Sequence, residues 1–137
     1  MFSLSKRTEY GLMALVYLSE LKEDHWANVA EIAKASEIPK ELLAKVLSKL
    51  AKAGLASSYP GPTGGFRLAK PASSMSLAEI LNILDRRPGL VNCYTEHNQC
   101  NRQKTCTIRT PLARIHQKVA KVLEDTSLTD ILMKQVV

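Results

Sequence analysis

No apolar run in this sequence approaches the roughly 20 residues that a membrane-spanning helix needs, so a membrane protein is not expected. The opening segment, Met1-Phe2-Ser3-Leu4-Ser5-Lys6-Arg7, lacks a basic region followed by an apolar core. No secretory signal is read there, and the expected compartment is the cytoplasm. Internal repeats and low-complexity tracts are absent. A phosphate-cradling glycine loop and a nucleophile–base pair are missing too, which argues against an enzyme. Cysteine is scarce: Cys93, Cys100 and Cys106 are the only three in 137 residues. An odd count cannot be closed by disulfides within one molecule. A chain of this length buries roughly two-thirds of its unfolded surface and needs no such staples.

What is present is a basic balance and a cluster of thiols. The net charge of +6 and pI near 9.3 suit an anionic partner such as nucleic acid. The three cysteines fall in one polar stretch, residues 93–106, with spacings that let a loop wrap thiolates around one inorganic centre. Free thiols without an export signal point to a reducing cytosol. Three thiolates leave such a centre one ligand short.

Most of the chain reads as helix. Ser5 can cap a helix running to about Leu21, with Tyr10, Leu12, Met13, Leu15 and Val16 at helical spacing. A short helix follows, about Val29 to Lys34, then a tight connection at Ser36-Glu37-Ile38. Pro39 suits the first turn of a third helix with Leu42, Leu43, Val46, Leu47 and Leu50 on one side. Its other side carries Lys40, Glu41, Ala44, Lys45, Ser48 and Lys49, and Gly54 is a good stop. This order is that of a helix-turn-helix, although three short amphipathic helices also make ordinary small bundles.

The next segment separates the two. Leu55–Tyr59 reads as a strand, Pro60–Gly65 as a turn and Phe66–Ala69 as a return strand. A hairpin straight after a candidate recognition helix reads as the wing of a winged helix-turn-helix, with a plain surface hairpin as the alternative. Glycines at 61, 64 and 65 allow a phosphate or a minor groove to approach the backbone closely. Beyond it, Ser76 with Glu79 forms a capping box for a helix bearing Leu77, Ile80, Leu81 and Leu84. Thr110-Pro111 opens a long helix with Leu112, Ile115, Val119, Val122 and Leu123, a stripe that suits either core or, at the end of the chain beyond a winged domain, dimerisation. A last short helix, Ser127 to Met133, is expected to pack back on the body. The fold class is therefore mainly α: a winged helix-turn-helix with a small β-hairpin wing and a long C-terminal dimerisation helix. Residues 1–72 form the DNA-binding region; residues 73–137 hold a cysteine loop (about 90–108) and the dimerisation helices.

Ser5-Lys6 and Tyr10, Pro39, Gly54-Leu55-Ala56-Ser57-Ser58, Gly61-Pro62-Thr63-Gly64-Gly65-Phe66 and the three-cysteine loop occur in one order. Over nearly the whole chain this resembles the bacterial winged-helix regulators typified by IscR, NsrR and RirA. The resemblance implies a homodimeric transcription factor that binds double-stranded operator DNA. It also implies an iron–sulfur cluster near the dimer interface, [2Fe-2S] or [4Fe-4S], reporting iron, redox or nitric oxide status. Thiolates are the usual ligands for such centres. Zinc is a rival, although the paired Cys-x2–4-Cys spacing of structural zinc sites is absent. A thiol switch without any metal is another, and a small redox protein a more distant one.

The resemblance bears on individual residues. IscR-like members use a histidine three residues after the third cysteine. Here that position is Arg109, which does not deprotonate and cannot ligate. NsrR-like members take an acidic ligand from the first helix of the other subunit, and Thr8-Glu9-Tyr10 aligns Glu9 with it. The implied set is Cys93, Cys100, Cys106 and Glu9, with His97 as an alternative fourth ligand. For DNA, the resemblance places reading residues on the exposed side of the third helix. Glu41 suits cytosine N4, Lys45 suits guanine, Ala44 lies between them, and Lys40 and Lys49 suit phosphate. Wing residues Gly61, Thr63, Gly64 and Gly65 approach the backbone, and Lys6, Arg7 and Arg67 are phosphate candidates. Pro60 stands where IscR-like wings carry arginine.

Overall fold

The structure, a computed structural model, describes residues 4–85 and 105–132. Helix α1 (Lys6–Ser19) starts where Ser5 predicts, its hydroxyl accepting from the Thr8 N–H at 3.2 Å. Helix α2 (Val29–Ser36) is capped by Asn28, whose Oδ1 accepts from the Glu31 N–H at 2.8 Å. Glu37 ends it in the left-handed region (φ 55°). That sharp reversal is the turn of the helix-turn-helix. Helix α3 (Lys40–Lys52) follows, and Pro39 is its N-cap rather than a first-turn residue. Gly54, at φ 86°, reverses the chain out of α3 in a conformation that favours glycine.

Strands β1 (Ala56–Tyr59) and β2 (Gly65–Leu68) pair antiparallel, with Ala56 opposite Leu68 and Tyr59 opposite Gly65. The segment before α2 adds a single bridge: Phe66 donates to the Ala27 carbonyl at 2.7 Å, and Ala27 donates back at 3.0 Å. Backbones this close leave no room for side chains. A Cβ on Gly65 would collide with the Ala27 carbonyl, and one on Gly64 with the Tyr59 carbonyl. A 3-10 turn (Ala72–Ser74) leads to α4 (Leu77–Leu84), then α5 (Arg109–Asp125) and α6 (Leu128–Leu132).

The core joins all of these except α5. Ala14, Leu15 and Leu18 of α1 meet Ile32 of α2, Leu43, Val46, Leu47 and Leu50 of α3, Ile80 and Leu84 of α4, and Leu128 of α6. Each such leucine contributes about 1.5–3 kcal/mol by leaving water. Gly11 lets α1 approach α4, since a Cβ there would strike the Leu84 side chain. Leu128 is fully buried, so the last helix does return to the body. Backbone bonds hold it there: Leu77 N–H to the Thr126 carbonyl at 2.7 Å and Leu128 N–H to the Met75 carbonyl at 2.9 Å.

Four local expectations are corrected. Leu42 is 47% exposed, because it sits on the flank of α3 beyond the side that meets α1 and α4. Met13, counted with the apolar positions of α1, is 43% exposed. The Ser76–Glu79 capping box is half formed. Ser76 Oγ accepts from the Glu79 N–H at 3.1 Å, but the Glu79 carboxylate takes the Lys70 ammonium at 2.8 Å. Helix α5 begins at Arg109 behind Ile108, with no side-chain cap, rather than at Thr110-Pro111.

Candidate nucleic-acid interface

Burying Leu43, Val46, Leu47 and Leu50 forces the other side of α3 outward. Lys40, Glu41, Ala44, Lys45, Ser48 and Lys49 are all exposed there. No ion pair engages Lys40, Lys45 or Lys49 among the described residues. The face therefore keeps its positive charge, which suits phosphates, and one carboxylate, which can accept from a base edge.

Beside it stands the hairpin. Gly61 (φ 104°) and Thr63 lie exposed at the turn, Gly65 is partly buried and Gly64 is buried. Gly64 and Gly65 thus have a packing role in the hairpin irrespective of any ligand. Arg67 is exposed on β2, and its guanidinium carbon lies 4.2 Å from the centroid of the Trp26 ring. Trp26 in turn stands against Tyr59, with centroids 5.4 Å apart and planes at 38°. A cation over an indole at an exposed site contributes about 0.5–1 kcal/mol. Sequence reading passed over Trp26 and Tyr59; a lone Trp before α2 carries no signal of a partner about forty residues away.

Lys6 is exposed at the start of α1, with its ammonium 3.1 Å from the Glu9 carboxylate. This hydrogen bond and the Glu9 charge raise the Lys6 pKa. Glu9 itself is 43% exposed. Just inside the same turn is a group that sequence reading did not find. Asp85, at the end of α4, accepts from Ser5 Oγ and Thr8 Oγ1, each at 2.6 Å, and from the Ser5 N–H at 3.4 Å. Burial pushes the Asp85 carboxyl up, but these bonds from Ser5 and Thr8, with the charge of Arg7, hold it below its usual value. Thr8 is fully buried and satisfied by this bond. The N-terminus of α1 is thereby tied to the C-cap of α4.

Of the thiols, Cys106 is described: a half-buried, free cysteine just ahead of α5. Cys93, Cys100 and His97 lie outside the described residues. Among those described, no three His, Cys, Asp or Glu side chains converge within one chain. No described helix is long and apolar enough to cross a membrane.

A family model described as Rrf2, an iron-dependent transcriptional regulator, matches residues 4–134. The chain belongs to the Rrf2 family. Rrf2 members are transcription regulators and not enzymes, and this chain is an Rrf2-family transcriptional regulator. Solved structures agree on the fold. CymR of B. subtilis, described as its global cysteine regulator, superposes with a TM-score of 0.77 at 23% identity, covering 96% of each chain. A transcriptional regulator from Listeria innocua gives 0.81 at 22%, over 98% of this chain and 89% of the other. IscR of T. potens gives 0.74 at 20%, over 96% and 87%. Winged-helix architecture is common to this chain and these Rrf2 relatives.

Proposed function

We propose that this regulator binds operator DNA as a homodimer and that an iron–sulfur cluster sets its affinity. Residues 1–72 read DNA, and residues 73–137 hold the cluster loop and the dimer helices. The observation that carries the dimer is α5. Its seventeen residues include none that is buried, and Ile115 and Val122 are 47% and 63% exposed. A second copy supplies what that apolar stripe lacks, and two-fold pairing of α3 helices matches palindromic half-sites.

The donor chemistry fits the cluster. Cys106 is a free thiol at the foot of the proposed dimer helix. Cys93 and Cys100 bring two more thiolates on the same segment, which matches the usual ligation of iron–sulfur centres. Glu9 offers its exposed carboxylate on α1, with exposed Met13 one turn further along the same side. Covering that side by the partner's α5 brings Glu9 toward the partner's thiols. When bound, the cluster supplies a centre whose charge and ligation respond to iron, redox state or nitric oxide. The chain's own residues transmit the outcome: the cysteine segment lies between α4 and α5, and Asp85 ties the end of α4 to α1. Lys45 and Glu41 of α3 contact bases, while Lys6, Lys40, Lys49, Arg67 and the wing turn contact phosphates.

The test is anaerobic purification with iron and sulfide analysis, absorption spectra and operator titration. Wild type is expected to be coloured, with affinity that changes on cluster loss. Glu9→Ala should hold a more labile cluster, and serine at all three cysteines should abolish it. Operator affinity that ignores cluster state in wild type and in the cysteine variants would refute the reading. A second reading is a metal-free thiol switch, supported by the likeness to CymR, of which an oxidised form from Staphylococcus aureus also superposes. A colourless anaerobic protein whose DNA affinity falls on oxidation would favour it.

A further inference from the structure

The hairpin from Leu55 to Ala69 contains one charged residue, Arg67. Its turn, Pro60-Gly61-Pro62-Thr63-Gly64, offers a phosphodiester backbone only peptide groups and one hydroxyl. Whatever electrostatic hold the wing has on DNA therefore passes through Arg67. The structure ties that side chain to elements distant in sequence: its guanidinium covers Trp26 of the α1–α2 connection, and Trp26 rests on Tyr59 of β1. The bridge between Ala27 and Phe66 sets the two backbones side by side.

How the cation is held matters. A carboxylate partner compensates a cation and occupies its N–H donors, as Glu79 and Asp125 engage the ammonium groups of Lys70 and Lys121. Stacking on an indole uses the flat face instead. The charge stays uncompensated and the N–H donors stay unoccupied for a planar oxyanion pair. No carboxylate pairs with Arg67 among the described residues.

We propose that Trp26, backed by Tyr59, is a positioning residue that holds Arg67 as the wing's phosphate contact. The proposal rests on the DNA-binding reading above and adds the residues that order its cation. Arginine loses much rotamer freedom on contact, so ordering it beforehand reduces what binding must overcome. A phosphate contact needs no particular sequence, so a mixed-sequence duplex of about 30 base pairs serves as probe.

The experiment is fluorescence anisotropy of that duplex with the full chain across a salt series. Arg67→Ala should lower the salt slope by about 0.9 per chain bound, the signature of one lost phosphate contact. Trp26→Leu should weaken low-salt binding about two- to five-fold, as the loss of an exposed cation–π contact implies. Trp26→Phe, with a weaker ring, should fall between it and wild type. Trp26→Leu should add nothing on the Arg67→Ala background. Thermal melts check the fold, and if Trp26→Leu does not fold, Trp26→Phe carries the comparison. Wild-type binding by folded Trp26 variants overturns the proposal, as does full additivity with Arg67→Ala. Binding that Lys45→Ala weakens but Arg67→Ala leaves untouched overturns this proposal alone. A wild type with no salt-dependent binding overturns the DNA reading and the proposal together.

Discussion

Helices α3 and α5 are both amphipathic, thirteen and seventeen residues long, yet they end in opposite situations. Helix α3 buries Leu43, Val46, Leu47 and Leu50 within its own chain, while α5 packs on α4 with no residue fully buried. The same periodic pattern thus serves two purposes. On α3 it completes a core and, by doing so, aims a basic face outward. On α5 it leaves Ile115 and Val122 exposed, the face the proposed dimer would cover. A hydrophobic stripe says that a face must be covered; it does not say by which molecule.

The largest expected effect falls on α5. Replacing Ile115 and Val122 together by glutamate should convert the dimer to monomer by sedimentation, with the helical circular dichroism largely kept. A variant that unfolds as a monomer would instead put α5 in the core. On α3, Leu47→Ala should cost about 2–5 kcal/mol in urea unfolding, because it opens a cavity in a closed core. A loss near zero would mean that the α3 face is no better covered than that of α5. Asp85→Ala should cost about 1–3 kcal/mol by leaving the buried Thr8 hydroxyl without its acceptor.

Asp85 also carries a pH signature. Its folded pKa lies below its unfolded value, so its stabilisation is fully present above about pH 4 and is lost as pH falls through the folded value. Melting temperatures of wild type and Asp85→Ala should converge in acid and stay apart at neutral pH. The smallest effect belongs to the exposed side of α3. Lys49→Ala should shift stability by less than about 0.5 kcal/mol while lowering the salt dependence of DNA binding. A large stability loss there would show that α3 has no free face.

Much of this was legible in the residues. Ser5 and Ser76 mark helix starts because a cap acts within three residues. Glu37 and Gly54 mark turns, and the glycine-rich hairpin follows from local backbone freedom. The basic outer side of α3 follows from spacing alone. Leu42 and Met13 were misplaced because periodicity locates an apolar side to within a flank, and neighbouring helices decide where that side ends. Glu79 turned to Lys70, because a charged partner outcompetes a neutral N–H.

By itself, then, the sequence determined the elements, the sign of the charge on the outer side of α3 and the supply of thiols. Those depend on interactions within a few residues or on composition. Tertiary structure alone decided that Asp85 reaches Ser5 across eighty positions, that Arg67 lies on Trp26, and that α5 rests on α4 with Ile115 and Val122 left exposed. Such pairings depend on how helices and the hairpin pack in three dimensions. No short-range rule encodes them, because their partners are neighbours only after the core has closed.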